Sequence, residues 1–127
     1  MSTIDEASSM AHRLAEVTEG TRREHRTWFV AGKAFMWERP FTKADLKRFG
    51  EEKPPAGPIL ALCVEDLDEK QAALAAHPRS FFSIPHFDGY AAVLVQVNVV
   101  TKRELNEAIL DAWLASAPAR LQRGYLR

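Results

Sequence analysis

The sequence predicts an α+β fold, a two-layer sandwich of one antiparallel sheet with helices packed on one face. Three observations lead there. Short runs at 26–38, 58–64, 80–84 and 90–98 are apolar, either continuously or in alternation, which is the pattern of strands. Other stretches carry apolar residues at helical spacing behind capping signals. Glycine-containing turns, Ala31-Gly32 and Asp88-Gly89, join strand to strand directly, which makes the neighbours antiparallel. The length of 127 residues is that of one domain, 1–127.

The elements follow in the order α-β-β-(short α)-β-α-β-β-α. A first helix is expected over 4–18, where Ile4, Ala7, Met10, Ala11, Leu14 and Val17 form an apolar stripe and Gly20 supplies a stop. A hairpin follows over 26–38. Trp28 and Val30 share a face of its first arm, and Phe35 and Trp37 share a face of its second. Gly32 in the turn reaches positive φ without steric cost. Pro40 ends the second arm, and Thr42-Lys43-Ala44-Asp45 opens a short helix that runs to Gly50. The segment EEKPPAGP is a rigid polar connection.

PILALCV at 58–64 suits a central strand, with Cys63 as a small buried hydrophobe. Asp66 and Glu69 have capping-box spacing before a helix that reaches about Ala76, with Leu67, Leu74 and Ala75 on its buried stripe. Strands over 80–84 and 90–98 pair through the Asp88-Gly89 turn. In the second of them Ala91, Val93, Val95 and Val97 face one way and Ala92, Leu94, Gln96 and Asn98 the other. Thr101 and Glu104 form another capping box. Leu105, Ala108, Ile109, Ala112 and Trp113 make the stripe of the last helix, which Pro118 ends or kinks.

These pieces resemble the YjbR-like (MmcQ/YjbR) family. The residues that carry the resemblance are VTEGT at the end of the first helix, FVAGKAFMWERP, FTKADLKRFG, GPILALCVEDLDEK, FFSIPHFDGYAAVLVQV and DAWLASAPARL, in the family's order from about Val17 to Leu121. The resemblance implies a compact two-layer domain whose general layout is shared with type III secretion chaperones. It also implies DNA binding through a double-wing motif, with no catalytic motif. The positions that match the wings are Val30–Lys33 and His86–Tyr90. The second wing contains Asp88 and no lysine or arginine.

Charge narrows the contact surface. Seventeen basic and seventeen acidic side chains cancel over the whole chain, unlike the basic balance usual for nucleic-acid binders. Residues 20–50 nevertheless carry a net +5. Candidate phosphate contacts are therefore Arg22, Arg23, Arg26, Lys33, Lys43, Lys47 and Arg48, and candidate hairpin-tip contacts are Gly32, Phe87 and Tyr90. Read as one continuous strand, 22–27 divides its cations: Arg22, Glu24 and Arg26 share a face, and Arg23, His25 and Thr27 share the other.

No P-loop, dinucleotide fingerprint or nucleophile elbow occurs, and the four histidines are scattered, so neither a cofactor nor a metal is expected. His86 and Asp88 are the only close pair of possible ligands and read as loop residues, and Ser83 nearby reads as a sheet residue. The expectation is a non-enzymatic, cytoplasmic domain, with no leader or membrane span, that binds DNA weakly and in a salt-sensitive way. A protein-interaction or chaperone-like module without a nucleic-acid role is the alternative. The oligomeric state is left open.

Overall fold

The computed structural model describes residues 2–125. Six antiparallel strands form one sheet in the order β1-β2-β3-β4-β6-β5. They are β1 (Val17–Arg22), β2 (His25–Val30), β3 (Lys33–Glu38), β4 (Ile59–Cys63), β5 (Phe81–Phe82) and β6 (Ala92–Gln96). The helices are α1 (Ile4–His12), α2 (Lys43–Phe49), α3 (Leu67–Ala76), α4 (Lys102–Ser116) and α5 (Ala119–Tyr125). A 3₁₀ turn spans Pro85–Phe87. Among the described residues no helix is long and apolar enough to cross a membrane.

The main core lies on one face of the sheet. Trp28, Val30, Phe35, Met36, Leu60, Leu62, Val93 and Val95 pack there against Leu105, Ile109 and Trp113 of α4 and Ala7 and Ala11 of α1. The α4 stripe is as the spacing predicts, and Thr101 with Glu104 closes the expected capping box. Thr42 with Asp45 closes another at α2. Asp66 caps α3 by accepting from the Glu69 amide.

The structure adds α5 beyond the helix expected to be the last, and it departs from the expected elements at further places. Helix α1 stops at His12, and Val17–Arg22 is a strand. Leu14 and Val17 continue the helical spacing, but Glu16 takes φ of 56° and the β-branched Val17, Thr18 and Thr21 pair with β2 instead. Gly20 is thus no helix stop. It lies mid-strand, where an added Cβ would come within 3.3 Å of the Phe29 ring.

The opposite face of the sheet is also covered in part. Ile59, Ala61, Ala92 and Leu94 bury there against Ile84 and Phe87, with Phe41, Phe49 and Phe82 packed around them. Helix α2 sits on this side, against the 3₁₀ turn, so β4 and β6 are apolar on both faces. On α3, Leu67 and Ala75 are exposed, and the buried residue is Lys70. Finally, β5 is only Phe81–Phe82, because Ile84 stays extended before Pro85 and the chain then coils. Strands β5 and β6 do pair, but across the whole 83–91 connection rather than a two-residue Asp88-Gly89 turn.

One polar network ties α1 to the first two strands. The indole Nε1 of fully buried Trp28 donates to Ser8 Oγ at 3.0 Å, and Ser8 Oγ donates to Glu19 Oε1 at 2.9 Å. Arg26 Nε donates to Glu19 Oε2 at 2.9 Å, and its Nη1 to Asp5 Oδ1 at 2.9 Å. The guanidinium also lies 5.1 Å from the Trp28 ring centre. The Arg26 hydrogen bonds hold the Glu19 carboxyl down to about 2, against the opposing effect of burial.

A carboxyl depressed on folding stabilises above its unfolded value of 4.5, and that stabilisation is lost as pH falls toward about 2. Glu19→Gln should therefore lower stability at pH 7 by about 1 kcal/mol, since the pair is partly open to water. The gap between variant and wild type should close between pH 4.5 and about 2. Urea melts across that pH range test this, and a gap that persisted at pH 2 would contradict it.

Candidate nucleic-acid interface

On the face that carries the second core, the sheet opens into a groove of about 730 Å³. Its floor is Thr27 of β2 with Ala34 and Trp37 of β3. Arg22, Arg23 and His25 form one wall, and His86, Phe87 and Tyr90 form the other. Lys33 stands where β3 begins, and Glu38, Arg39, Pro40 and Thr42 close the far end.

The turn between β1 and β2 sets which cations reach this groove. Arg22 pairs with His25, so Arg23 and Glu24 are a two-residue turn, with φ of 52° and 68°. Both residues are left-handed, as a type I′ hairpin turn requires. The turn breaks the phase of a continuous strand. Directly paired residues share a face, so Arg22 joins His25 and Thr27 on the groove side. Arg26 points with Trp28 and Val30 to the other side.

Of the seven candidate phosphate contacts, three line the groove: Arg22, Arg23 and Lys33, the last from its edge, since Lys33 pairs with Val30 of the opposite face. None of these has an ion-pair partner among the described residues. Arg26 is a correction, because Glu19 and Asp5 hold its guanidinium on the α1 side. Lys43, Lys47 and Arg48 are exposed on α2 and do not line the groove, although Thr42, the cap of that helix, does. Arg48 approaches Asp45 at 3.9 Å.

The tip candidates divide similarly. Gly32 is exposed at the β2–β3 turn with φ of 85° and lies outside the groove. Phe87 is 3% exposed, so it is a core residue that shows an edge to the groove, not a tip. Tyr90 is 50% exposed and stands edge-on to the Phe87 ring at 5.6 Å.

His25, Trp37 and Arg39 line the groove without being among the expected contacts, and His86, expected only as a loop residue, lines it too. Trp37 does not share a face with Phe35 as expected: the register shift between β2 and β3 puts both Phe35 and Met36 in the main core and leaves Trp37 half-buried beside the second core and the groove. Arg39 is spoken for: its Nη1 donates to Asp45 Oδ2 at 2.8 Å and to the Pro40 carbonyl at 2.7 Å. Its guanidinium also lies 5.6 Å from the centre of the Phe87 ring. Burial works against ionisation of Asp45, but the Thr42 amide and Arg39 outweigh it and keep the carboxyl below its ordinary range. Glu38 likewise accepts from the Arg26 backbone amide at 2.9 Å. Neither Ser83 nor Asp88 lines the groove.

The second wall is fastened from behind. Lys70 is 3% exposed, and its ammonium donates to the carbonyls of Phe87 at 2.6 Å and Tyr90 at 2.9 Å. Burial pushes its pKa down, and the Asp88 charge offsets part of that. Lys70→Met keeps the apolar stem but leaves both carbonyls without their donor. It should cost about 1–3 kcal/mol. Hydrogen exchange at the amides of Phe87, Asp88 and Tyr90 should quicken, while exchange in β2 stays unchanged. Equal protection of the loop in variant and wild type would refute the clamp.

No family model matches the chain. Among curated proteins it is similar to the uncharacterized protein Rv2570 of Mycobacterium tuberculosis strain H37Rv, with 39% identity covering 99% of this chain and 97% of the relative. Uncharacterized protein Mb2600 of Mycobacterium bovis is similar to the same degree and over the same extent. Among solved structures, Deinococcus radiodurans protein DR2400, which carries the domain DUF419, shares the fold. The TM-score is 0.64 over 98% of this chain and 88% of that one, at 16% identity.

Proposed function

We propose, on the premise that this chain belongs to the family of the mycobacterial proteins Rv2570 and Mb2600, that it is a non-enzymatic nucleic-acid-binding domain whose contact face is the groove between the two hairpin ends. One observation carries the reading. Arg22, Arg23 and Lys33 come from two different turns, yet line one recess, and none is neutralised by a carboxylate there.

Further support comes from the aromatic lining, since a cationic groove with accessible aromatic rings is the usual makeup of a nucleic-acid track. The YjbR-like resemblance points the same way, and the two matching wing segments flank this groove. A binding role is favoured over catalysis because Glu38, the one carboxylate among the groove residues, already accepts from the Arg26 backbone amide, and the neighbouring Asp45 is paired with Arg39. A protein-partner role has less behind it: of the exposed large hydrophobics Leu46, Leu67, Tyr90, Val99 and Tyr125, only Tyr90 lines the groove.

With three phosphate contacts and no net charge on the chain, binding is weak and strongly salt-dependent. The log–log slope of affinity against salt should be roughly −2 to −3. Fluorescence anisotropy of labelled oligonucleotides over a salt series measures it. Combined replacement of Arg22, Arg23 and Lys33 by Ala should flatten that slope, whereas Lys47→Ala, outside the groove, should leave it unchanged. Absence of binding at low salt, or a slope indifferent to the triple replacement, would overturn the assignment.

A further inference from the structure

We infer that the groove takes a short unpaired stretch of nucleic acid, with phosphates at its two cationic ends and a base against the aromatic side chains between them. This inference rests on the nucleic-acid reading above and specifies the ligand of the same groove.

The cations are placed at the two ends of β2. Arg22 and Arg23 stand at the β1–β2 turn and Lys33 at the β2–β3 turn. The six residues of β2 separate these ends by about 17 Å, at the usual rise per strand residue. Between them lie Trp37 on the floor and Tyr90 on the wall. Positive charge at both ends of an aromatic middle matches alternating phosphate and base along a single strand. The Phe87 ring, itself buried and held by the Lys70 hydrogen bond to its carbonyl, fixes Tyr90 edge-on. A base would thus meet an oriented ring. The groove volume of about 730 Å³ is that of a recess for a small ligand or a few nucleotides.

The same features disfavour a duplex. Two wings gripping a duplex must project and must both meet phosphate. Here the second segment is drawn inward, with Phe87 in the core and two carbonyls fastened by Lys70, and its exposed charge is Asp88. The first tip offers Gly32, which has no side chain, and Glu24 projects beside Arg23. In a duplex the bases are stacked on one another, so Trp37 and Tyr90 would have no base plane to meet.

Three labelled probes of equal length at fixed low salt separate the possibilities: a mixed-sequence single strand, its duplex, and an abasic single strand. The expected result is that the single strand binds at least tenfold tighter than either of the others. Tyr90→Ala should remove that preference while leaving affinity for the abasic strand unchanged, and Tyr90→Phe should retain it. Tyr90 is half exposed, so these variants are expected to fold, and a thermal melt checks it. A duplex bound as tightly as the single strand, or an abasic strand bound equally well, overturns this inference and leaves nucleic-acid binding standing. If none of the three binds, the underlying reading falls and this one with it.

Discussion

The carboxylate of Glu19 is the fixed point of the first half of the molecule. It accepts from Ser8 of α1 and from Arg26 of β2, and Ser8 in turn accepts from the buried indole of Trp28. A helix, an edge strand and its neighbour are thereby joined through one ionised group that is held charged far into acid. The same bonds fix the rotation of β2. With Arg26 held toward α1, alternation along the strand sends His25 and Thr27 to the opposite face, and the two-residue turn adds Arg22 to them. A stability device on one face therefore defines the cationic character of the other.

The sheet has two cores of unequal extent, and the groove is the place where the second one ends. Phe87 belongs to both regions: it packs with Ile84 and Leu94, shows an edge to the groove, and lies against Arg39 and Tyr90. Two buried charges hold this junction. Asp45 is neutralised by Arg39 and by the cap of α2, whereas Lys70 has only backbone carbonyls and the offsetting charge of Asp88. Such a lysine costs desolvation, and its two hydrogen bonds fasten the end of the 3₁₀ turn and the loop that follows it.

Sequence patterning was a good guide where burial and period agree. The hairpin of β2 and β3, the central position of β4, the caps of α2 and α4 and the stripe of α4 follow directly from residue spacing. It failed where a segment fits two periods. Leu14 and Val17 prolong a helical stripe, and only pairing with β2 makes 17–22 a strand, an interaction that local sequence does not contain. That one misassignment carried through to the site. Without β1 there is no Arg23–Glu24 turn, and the arginines divide between faces in the wrong way. Lys70 was illegible for another reason: a lysine in a polar helix reads as solvated, and the carbonyls it meets are 17 and 20 residues away.

Left-handed backbone at non-glycine residues occurs at Glu16, Arg23, Glu24 and Ala31, all at the ends of β1 and β2. Each costs about 1–2 kcal/mol relative to glycine. At Ala31 the strain is half of a type I′ turn shared with Gly32. At Glu16 it aims a carboxylate at Arg120, whose Nη2 donates at 2.9 Å and ties α5 to the sheet. Arg23 and Glu24 have neither compensation: their turn contains no glycine, and neither side chain has an ion-pair or hydrogen-bond partner among the described residues. Asn-Gly at these two positions would relax the turn and delete the cation that faces the groove. Strain kept at an exposed arginine, on the wall of the one large recess described above, fits a residue whose partner is a ligand and not another part of the chain.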